Sequence, residues 1–264
     1  VFSAAGSWLS ADASAPSGNA SNISSRISNF GGGVTLSYDA ANGSYTVSDG
    51  NSSRTFAAST LTTGSNDTVS IYKTATGPQT DQLALFKPGS GNSTLALTHV
   101  SYGAWQTINE RTGGIDFAQQ YFVYGVRQAA NAPSTGFATY STVVDGFWTT
   151  AAGLYALSGT STFVADFNAM TVGTTLDLTG TNALNSSTKR FGAFNGSGTI
   201  AATGGGFNGT LAHSGTDADG NVYNGTFNGA FFGPTGSEMG YTFRLTGNSG
   251  GAAVGAVVGK ANSP

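Results

Sequence analysis

The stretch Tyr223–Phe243, YNGTFNGAFFGPTGSEMGYTF, decides the fold. Aromatic and small residues alternate before its Gly233-Pro234 step (Tyr223, Gly225, Phe227, Gly229, Phe231) and again after it (Tyr241, Phe243). That period of two belongs to pleated strands with one buried face, so the segment reads as two strands joined by a turn. Glycines on the same face as the aromatics predict tight curvature, as a closing barrel needs. The turn leads into Glu238, one of two glutamates in the chain. Its carboxylate is expected to accept N–H bonds from that turn and to be structural rather than catalytic.

Working outward, eight strand candidates fill the C-terminal half. They centre on Gly136–Val144, Leu154–Asp166, Thr171–Leu178, Arg190–Ala202, Gly206–His213, Asn221–Phe232, Met239–Leu245 and Ala252–Lys260. Eight antiparallel strands in chain order are the number that closes a small barrel filled by its own side chains. Phe163, Phe167, Phe194, Phe227, Phe231 and Phe243 are expected inside it. The small-residue stretch Gln128–Gly136, which contains a proline, reads as a linker, giving domains 1–133 and 134–264. Ahead of it, Gly33–Tyr38, Ser44–Ser48, Val69–Lys73, Asp81–Phe86, Thr94–Trp105 and Gln120–Tyr124 are shorter strand-like runs. Residues 10–30, mostly Ser, Ala and Asn, are expected to hold a short helix or an irregular arm. The fold class is all-β: a C-terminal eight-stranded antiparallel barrel preceded by a smaller β-rich N-terminal domain.

Composition agrees with this class and removes several functions. Charged residues make up 9% of the 264, against a usual share of about 25%, so solubility rests on hydroxyls and amides. Those residue types are mediocre helix formers. The net charge is −3, with the ten basic residues dispersed along the chain and only Lys189 and Arg190 adjacent, and a nucleic-acid binder needs a cationic footprint. No run approaches the ~20 apolar residues of a membrane-spanning helix. Cysteine is absent, which excludes disulfides and thiolate metal sites. The chain opens at Val1 with neither a leader nor a lipid-bearing Cys, as expected of a secreted form or one whose anchor has been removed.

The Gly-Phe/Tyr-rich hairpin resembles the signature near the C-terminus of the transferrin-binding-protein-B-like barrel family. There a Gly-x-Phe/Tyr-Phe/Tyr-Gly-Pro turn precedes a Glu and then a Gly, matched here by Gly229 to Gly240. Thr160–Val172 is similar to the family's "Asp-Phe, turn, Thr-Val/Leu" hairpin, and Gly206–Gly209 and Val258–Lys260 fall on strands with similar residues. The pattern is broken at Tyr241, where the family often has a second Gly, and at Val257-Val258, where it often has Phe-Gly. The resemblance covers residues 136–264. It implies a bacterial surface lipoprotein or secreted haemophore that captures haem, or a host or environmental iron carrier, and passes it to an outer-membrane receptor.

Candidate ligand-binding residues follow from residue type and place. His99 and His213 are the only histidines, and imidazole or a tyrosine is a common axial ligand to haem iron. The competing reading, the commoner one for a lone histidine, is a strand residue with an ordinary hydrogen bond. Aromatics gather at the boundary between the halves, and Tyr102, Tyr121, Phe122 and Tyr124 are candidates for an apolar slot. Core packing is the competing reading, with Tyr121, Phe122 and Tyr124 expected to escape it. No residue is assigned as catalytic or as a metal ligand. Asp217-Ala-Asp-Gly-Asn221 has alternate carboxylates but lacks the later bidentate acid of a calcium loop, so it reads as a hairpin turn. No Gly-x-Ser-x-Gly elbow, phosphate loop or paired-acid motif occurs. The chain therefore reads as a non-enzymatic exported binding protein, located at the bacterial surface or secreted. A self-assembling structural surface protein and a carbohydrate-binding protein are the alternatives.

Overall fold

The computed structural model describes residues 1–127 and 135–262. The boundary expected at 133/134 and most of the linker Gln128–Gly136 lie outside the described residues. Nine strands precede it: β1 (Phe2–Ser14), β2 (Ala20–Ser28), β3 (Val34–Asp39), β4 (Ser44–Ser48), β5 (Ser53–Phe56), β6 (Val69–Thr76), β7 (Gln79–Phe86), β8 (Val100–Arg111) and β9 (Gly114–Gly125). Eight follow: β10 (Phe137–Thr150), β11 (Gly153–Asp166), β12 (Thr171–Asn182), β13 (Thr188–Ile200), β14 (Gly206–His213), β15 (Tyr223–Phe232), β16 (Glu238–Gly247) and β17 (Ala252–Ala261).

The strands β10 to β17 close into an antiparallel barrel in chain order, with β17 pairing back onto β10. All six phenylalanines expected inside it belong to its buried core, with Trp148, Tyr223 and Tyr241. Each fully buried Phe is worth about 1.5–3 kcal/mol. Gly229 shows why small residues share the aromatic face. A Cβ there would lie 2.5 Å from the Tyr241 Cβ and 2.6 Å from a Phe207 ring carbon, so its two cross-strand neighbours fill the space it leaves. Away from the sheet, outward positions of the wall are mostly Thr, Ser and Asn, as in the Thr162–Thr175 hydroxyl pair at 2.7 Å, whereas those that face the sheet, such as Phe147, Val254 and Val258, are apolar. Away from the sheet, then, the barrel is polar outside and aromatic inside.

The N-terminal strands form one sheet in the order β5-β4-β3-β1-β9-β8-β7-β6, with β2 also on β1. A bridge between Leu61 and Tyr72 brings the two ends of the sheet together, so it rolls up almost to closure. Its inner face buries Val34, Leu36, Val47, Phe56, Leu83, Leu85, Trp105 and Phe122. The other face of β1, β8 and β9 lies on the barrel's outer wall at β10, β16 and β17.

Two expectations are corrected here. Residues 10–30 are neither helix nor irregular arm: they hold the end of β1, a turn at 15–19 and β2, the two strands paired over Gly6–Ala13. Serine and alanine are weak strand formers, but small residues let β1 lie close on the barrel, with Ala5, Leu9, Ala11 and Ala13 buried and Ser7 Oγ donating to the Gly255 carbonyl at 3.3 Å. Packing has overridden propensity. The run Thr94–Trp105 becomes strand only at Val100. The segment before it is a loop organised by Asn92, which donates to the Lys87 carbonyl (2.6 Å) and accepts from the Thr94 (2.9 Å) and Leu95 (3.1 Å) N–H groups.

Candidate ligand cleft and the seam between the halves

Outward-facing strand residues build the seam. Along β16, Met239, Tyr241, Phe243 and Leu245 enter the barrel core, so Glu238, Gly240, Thr242 and Arg244 face the sheet. Glu238 is buried and accepts three backbone N–H bonds: Thr98 to Oε1 at 2.7 Å, and His99 and Val100 to Oε2 at 2.7 and 3.0 Å. The carboxylate accepts backbone N–H bonds, as expected, but its donors come from the other half of the chain and not from its own turn. Mid-seam, Asp145 on β10 accepts from the Tyr102 and Tyr121 hydroxyls, each at 3.2 Å. Burial pushes the Asp145 carboxyl up to about 6, against the lowering effect of those two hydrogen bonds. Burial, and then Asp145 itself, hold both tyrosines well above the usual phenol range, so they stay protonated donors.

At one end of the seam the hairpin turns of both halves meet around an open cleft of about 580 Å3. Its floor is a stacked pair, Phe117 of β9 and Phe147 of β10, with ring centroids 4.7 Å apart. Ile108, Ile115, Leu154 and Leu184 extend the apolar wall, and Gln106, Asn182 and Asn185 supply amides. Leu184 stands 65% exposed at the mouth. Asn182 fixes its turn by accepting from the Leu184 (2.8 Å) and Asn185 (3.2 Å) N–H groups. The Ala20 N–H donates to the Ala151 carbonyl at 3.1 Å, tying the two halves together nearby. Glu110 and Arg111 are the charged residues of the lining, and Asp116 neutralises Arg111 at 2.6 Å.

The six candidate residues are not brought together, and none lines this cleft. His99 sits in the loop before β8, its ring against Gly233; a Cβ on that glycine, whose φ is +70°, would lie 2.4 Å from the imidazole. His213 ends β14 and stacks on Phe194 with centroids 4.4 Å apart. Its Nδ1 accepts from the Tyr223 N–H at 3.3 Å. The histidines thus lie at opposite ends of β15, which runs from Tyr223 to Phe232 next to the Gly233 turn. Burial lowers the His213 pKa. Tyr102 and Tyr121 hold Asp145. Phe122 is not at the surface: it is buried in the sheet's inner core, as Tyr121 is in the seam, because β9 is covered on both faces. Tyr124 is half-buried, 5.6 Å from the Phe2 ring. Asp217 caps its own turn, accepting from the Asp219 and Asn221 N–H groups at 2.8 Å each, as a hairpin turn requires. The cleft residues Ile108, Phe117 and Leu184 were not singled out from the sequence. For Phe117, alternation with Tyr121 and Val123 was the available signal.

A nearly closed sheet docked on a closed, filled barrel, with a cleft where their turns meet, defines a two-part all-β scaffold. Residues 124–261, just over half of the chain, match the family of C-lobe and N-lobe β-barrels of transferrin-binding protein B, and the chain belongs to that family. No curated protein matches. Among solved structures, transferrin-binding protein B of Haemophilus parasuis Hp5 superposes with a TM-score of 0.56 at 19% identity, covering 97% of this chain and 45% of that one. Intact Ap-TbpB, with N and C lobes, gives 0.55 at 17% identity, covering 96% and 46%. The isotype 1 protein of serogroup B Neisseria meningitidis gives 0.54 at 16%, covering 97% and 43%. At these identities the likeness establishes the fold. The chain spans about half the length of these structures.

Proposed function

We propose that this chain is a non-enzymatic binding protein of the bacterial surface, and that its cleft takes an iron-carrier protein of the transferrin type for transfer to an outer-membrane receptor. The carrying observation is the cleft itself: turns from both halves converge on an apolar wall, with an exposed leucine at its mouth and amides on its rim. Aromatic and aliphatic anchors ringed by polar groups are how protein partners are held. The family supports the choice of partner, since its solved members above are transferrin-binding proteins. Among the described residues the lining carries no His, Tyr, Met or Cys side chain, the types that usually ligate haem iron. The reading therefore takes iron inside its carrier rather than as haem.

Biolayer interferometry with immobilised protein and a panel of iron-loaded transferrins tests this. Leu184→Asp places a charge at an exposed position and should weaken binding about tenfold or more, without changing the melting temperature. Equal binding by parent and variant, or no binding to any carrier, contradicts the reading. A Soret shift on haemin titration that is lost in His99→Ala or His213→Ala would establish haem in its place.

A further inference from the structure

A second concavity lies on the barrel's outer wall and shares no residue with the cleft. A row of outward side chains crosses four strands there. Phe137 on β10, Asp166 on β11, Thr171 on β12 and Thr199 on β13 stand opposite one another in register. Val164, Gly173 and Ser197 form the next row. Gly173 carries no side chain, so the wall dips into a groove of about 670 Å3. Phe137 and Asp166 flank the dip on one side, Ser197 and Thr199 on the other.

The groups around the dip are unspent. The Phe137 ring is 65% exposed. Asp166, which lines the groove, uses Oδ1 to accept from the Asn168 and Ala169 N–H groups at 2.9 and 3.0 Å, while Oδ2 makes no hydrogen bond among the described residues. The hydroxyls of Thr171, Ser197 and Thr199 make no hydrogen bond among the described residues, and no Lys or Arg lines the site. A single exposed aromatic is ordinary on a protein surface. Here it forms the wall of a concavity rimmed by free hydrogen-bonding groups.

These groups select a ligand class. An anion would meet the Asp166 carboxylate with no cation to offset it. A purely apolar ligand would desolvate three hydroxyls and a carboxylate oxygen without replacing their hydrogen bonds. A neutral saccharide satisfies both demands, with a C–H face for the aromatic ring and hydroxyls around its edge. We propose that this groove is a subsite for a neutral saccharide. One sugar ring lies against Phe137 over the floor opened by Gly173. Asp166 Oδ2 accepts from one sugar hydroxyl, and the side chains of Thr171, Ser197 and Thr199 exchange hydrogen bonds with others. The inference is independent of the cleft, whose lining these residues do not touch.

The test is an amide-resolved NMR titration of the protein with neutral cello-, malto-, xylo- and chito-oligosaccharides, with sulfated and sialylated glycans as controls. At least one neutral series should shift amides centred on Phe137, Asp166, Gly173 and Ser197. Phe137→Ala should weaken that binding about tenfold. Gly173→Val, whose Cβ would lie 3.1 Å from the Val164 side chain, should fill the dip and abolish it. Because Phe137 is exposed, its variant keeps the test valid should Gly173→Val disturb the strand. The proposal fails if no neutral series shifts these amides, if a charged glycan binds preferentially, or if Phe137→Ala binds like the parent.

Discussion

Replacing Glu238 by Gln is the sharpest test of how the two halves are held together. The carboxylate accepts three backbone N–H bonds at 2.7, 2.7 and 3.0 Å from a buried position. Gln has the same shape but one acceptor oxygen. Its best placement puts that oxygen where Oε2 now meets the His99 and Val100 N–H groups, and its NH2 then faces the Thr98 N–H. One donor is orphaned, at about 1–3 kcal/mol, and two charge-assisted bonds become neutral ones, each losing roughly half its strength. Thr98 is exposed and can turn to water, which favours the lower part of the range. The sum is about 3 kcal/mol, a large fraction of a typical total stability of ~5–15 kcal/mol. Urea unfolding at constant m-value reads the loss. Hydrogen exchange at Thr98, His99 and Val100 should accelerate in step, while the barrel's inner strands stay protected. A loss below about 1 kcal/mol, with exchange at these three amides unchanged, would refute the clasp.

Three further outcomes follow from the same geometry. Asp145 titrates near 6 in the folded protein against about 3.9 when unfolded, so the folded state holds its proton where the unfolded chain has released it. The stability it contributes is complete below about pH 4 and is lost as pH rises through about 6, leaving a constant penalty on the order of 2–3 kcal/mol above that. Asp145→Asn should therefore remove that dependence and equal or exceed the parent in denaturant melts above pH 7; an unchanged pH profile would show the carboxyl is not perturbed. Gly229→Val should cost about 3 kcal/mol or more by overpacking the barrel, since its Cβ would lie 2.5 Å from both the Gly240 carbonyl oxygen and the Tyr241 Cβ; near-parent stability would mean the interior is looser than described. Phe137→Ala should leave carrier binding at the cleft unaffected, because the two sites share no residue.

The barrel was legible because its strands alternate large and small residues over ten or so positions, as in Tyr223–Phe231, and because its turns are marked by Gly, Pro and Asn. The strands β1 and β2 were not, because Ser and Ala carry no period; those residues are strand only because the sheet must lie flat on the barrel wall. From its place after the turn, Glu238 is expected to accept backbone N–H bonds of that turn. Its donors, from Thr98 to Val100, lie about 140 positions away and leave no local mark. The site was the least legible part. Residue type pointed to His99, His213 and the boundary tyrosines, yet two of those tyrosines serve Asp145 and the histidines sit at opposite ends of β15. The cleft is assembled from single residues of separate turns, such as Leu184 and Ile108, which only the fold brings together.

Hydrogen-exchange footprinting of the protein with and without a bound iron-carrier protein tests the central claim most directly. Protection should concentrate in the turns that frame the cleft, at residues 15–18, 108–115, 150–154 and 182–185. Protection confined to the far end of the seam, around Thr94–Val100 and the Gly233 turn, or spread over the outer barrel wall, would contradict it.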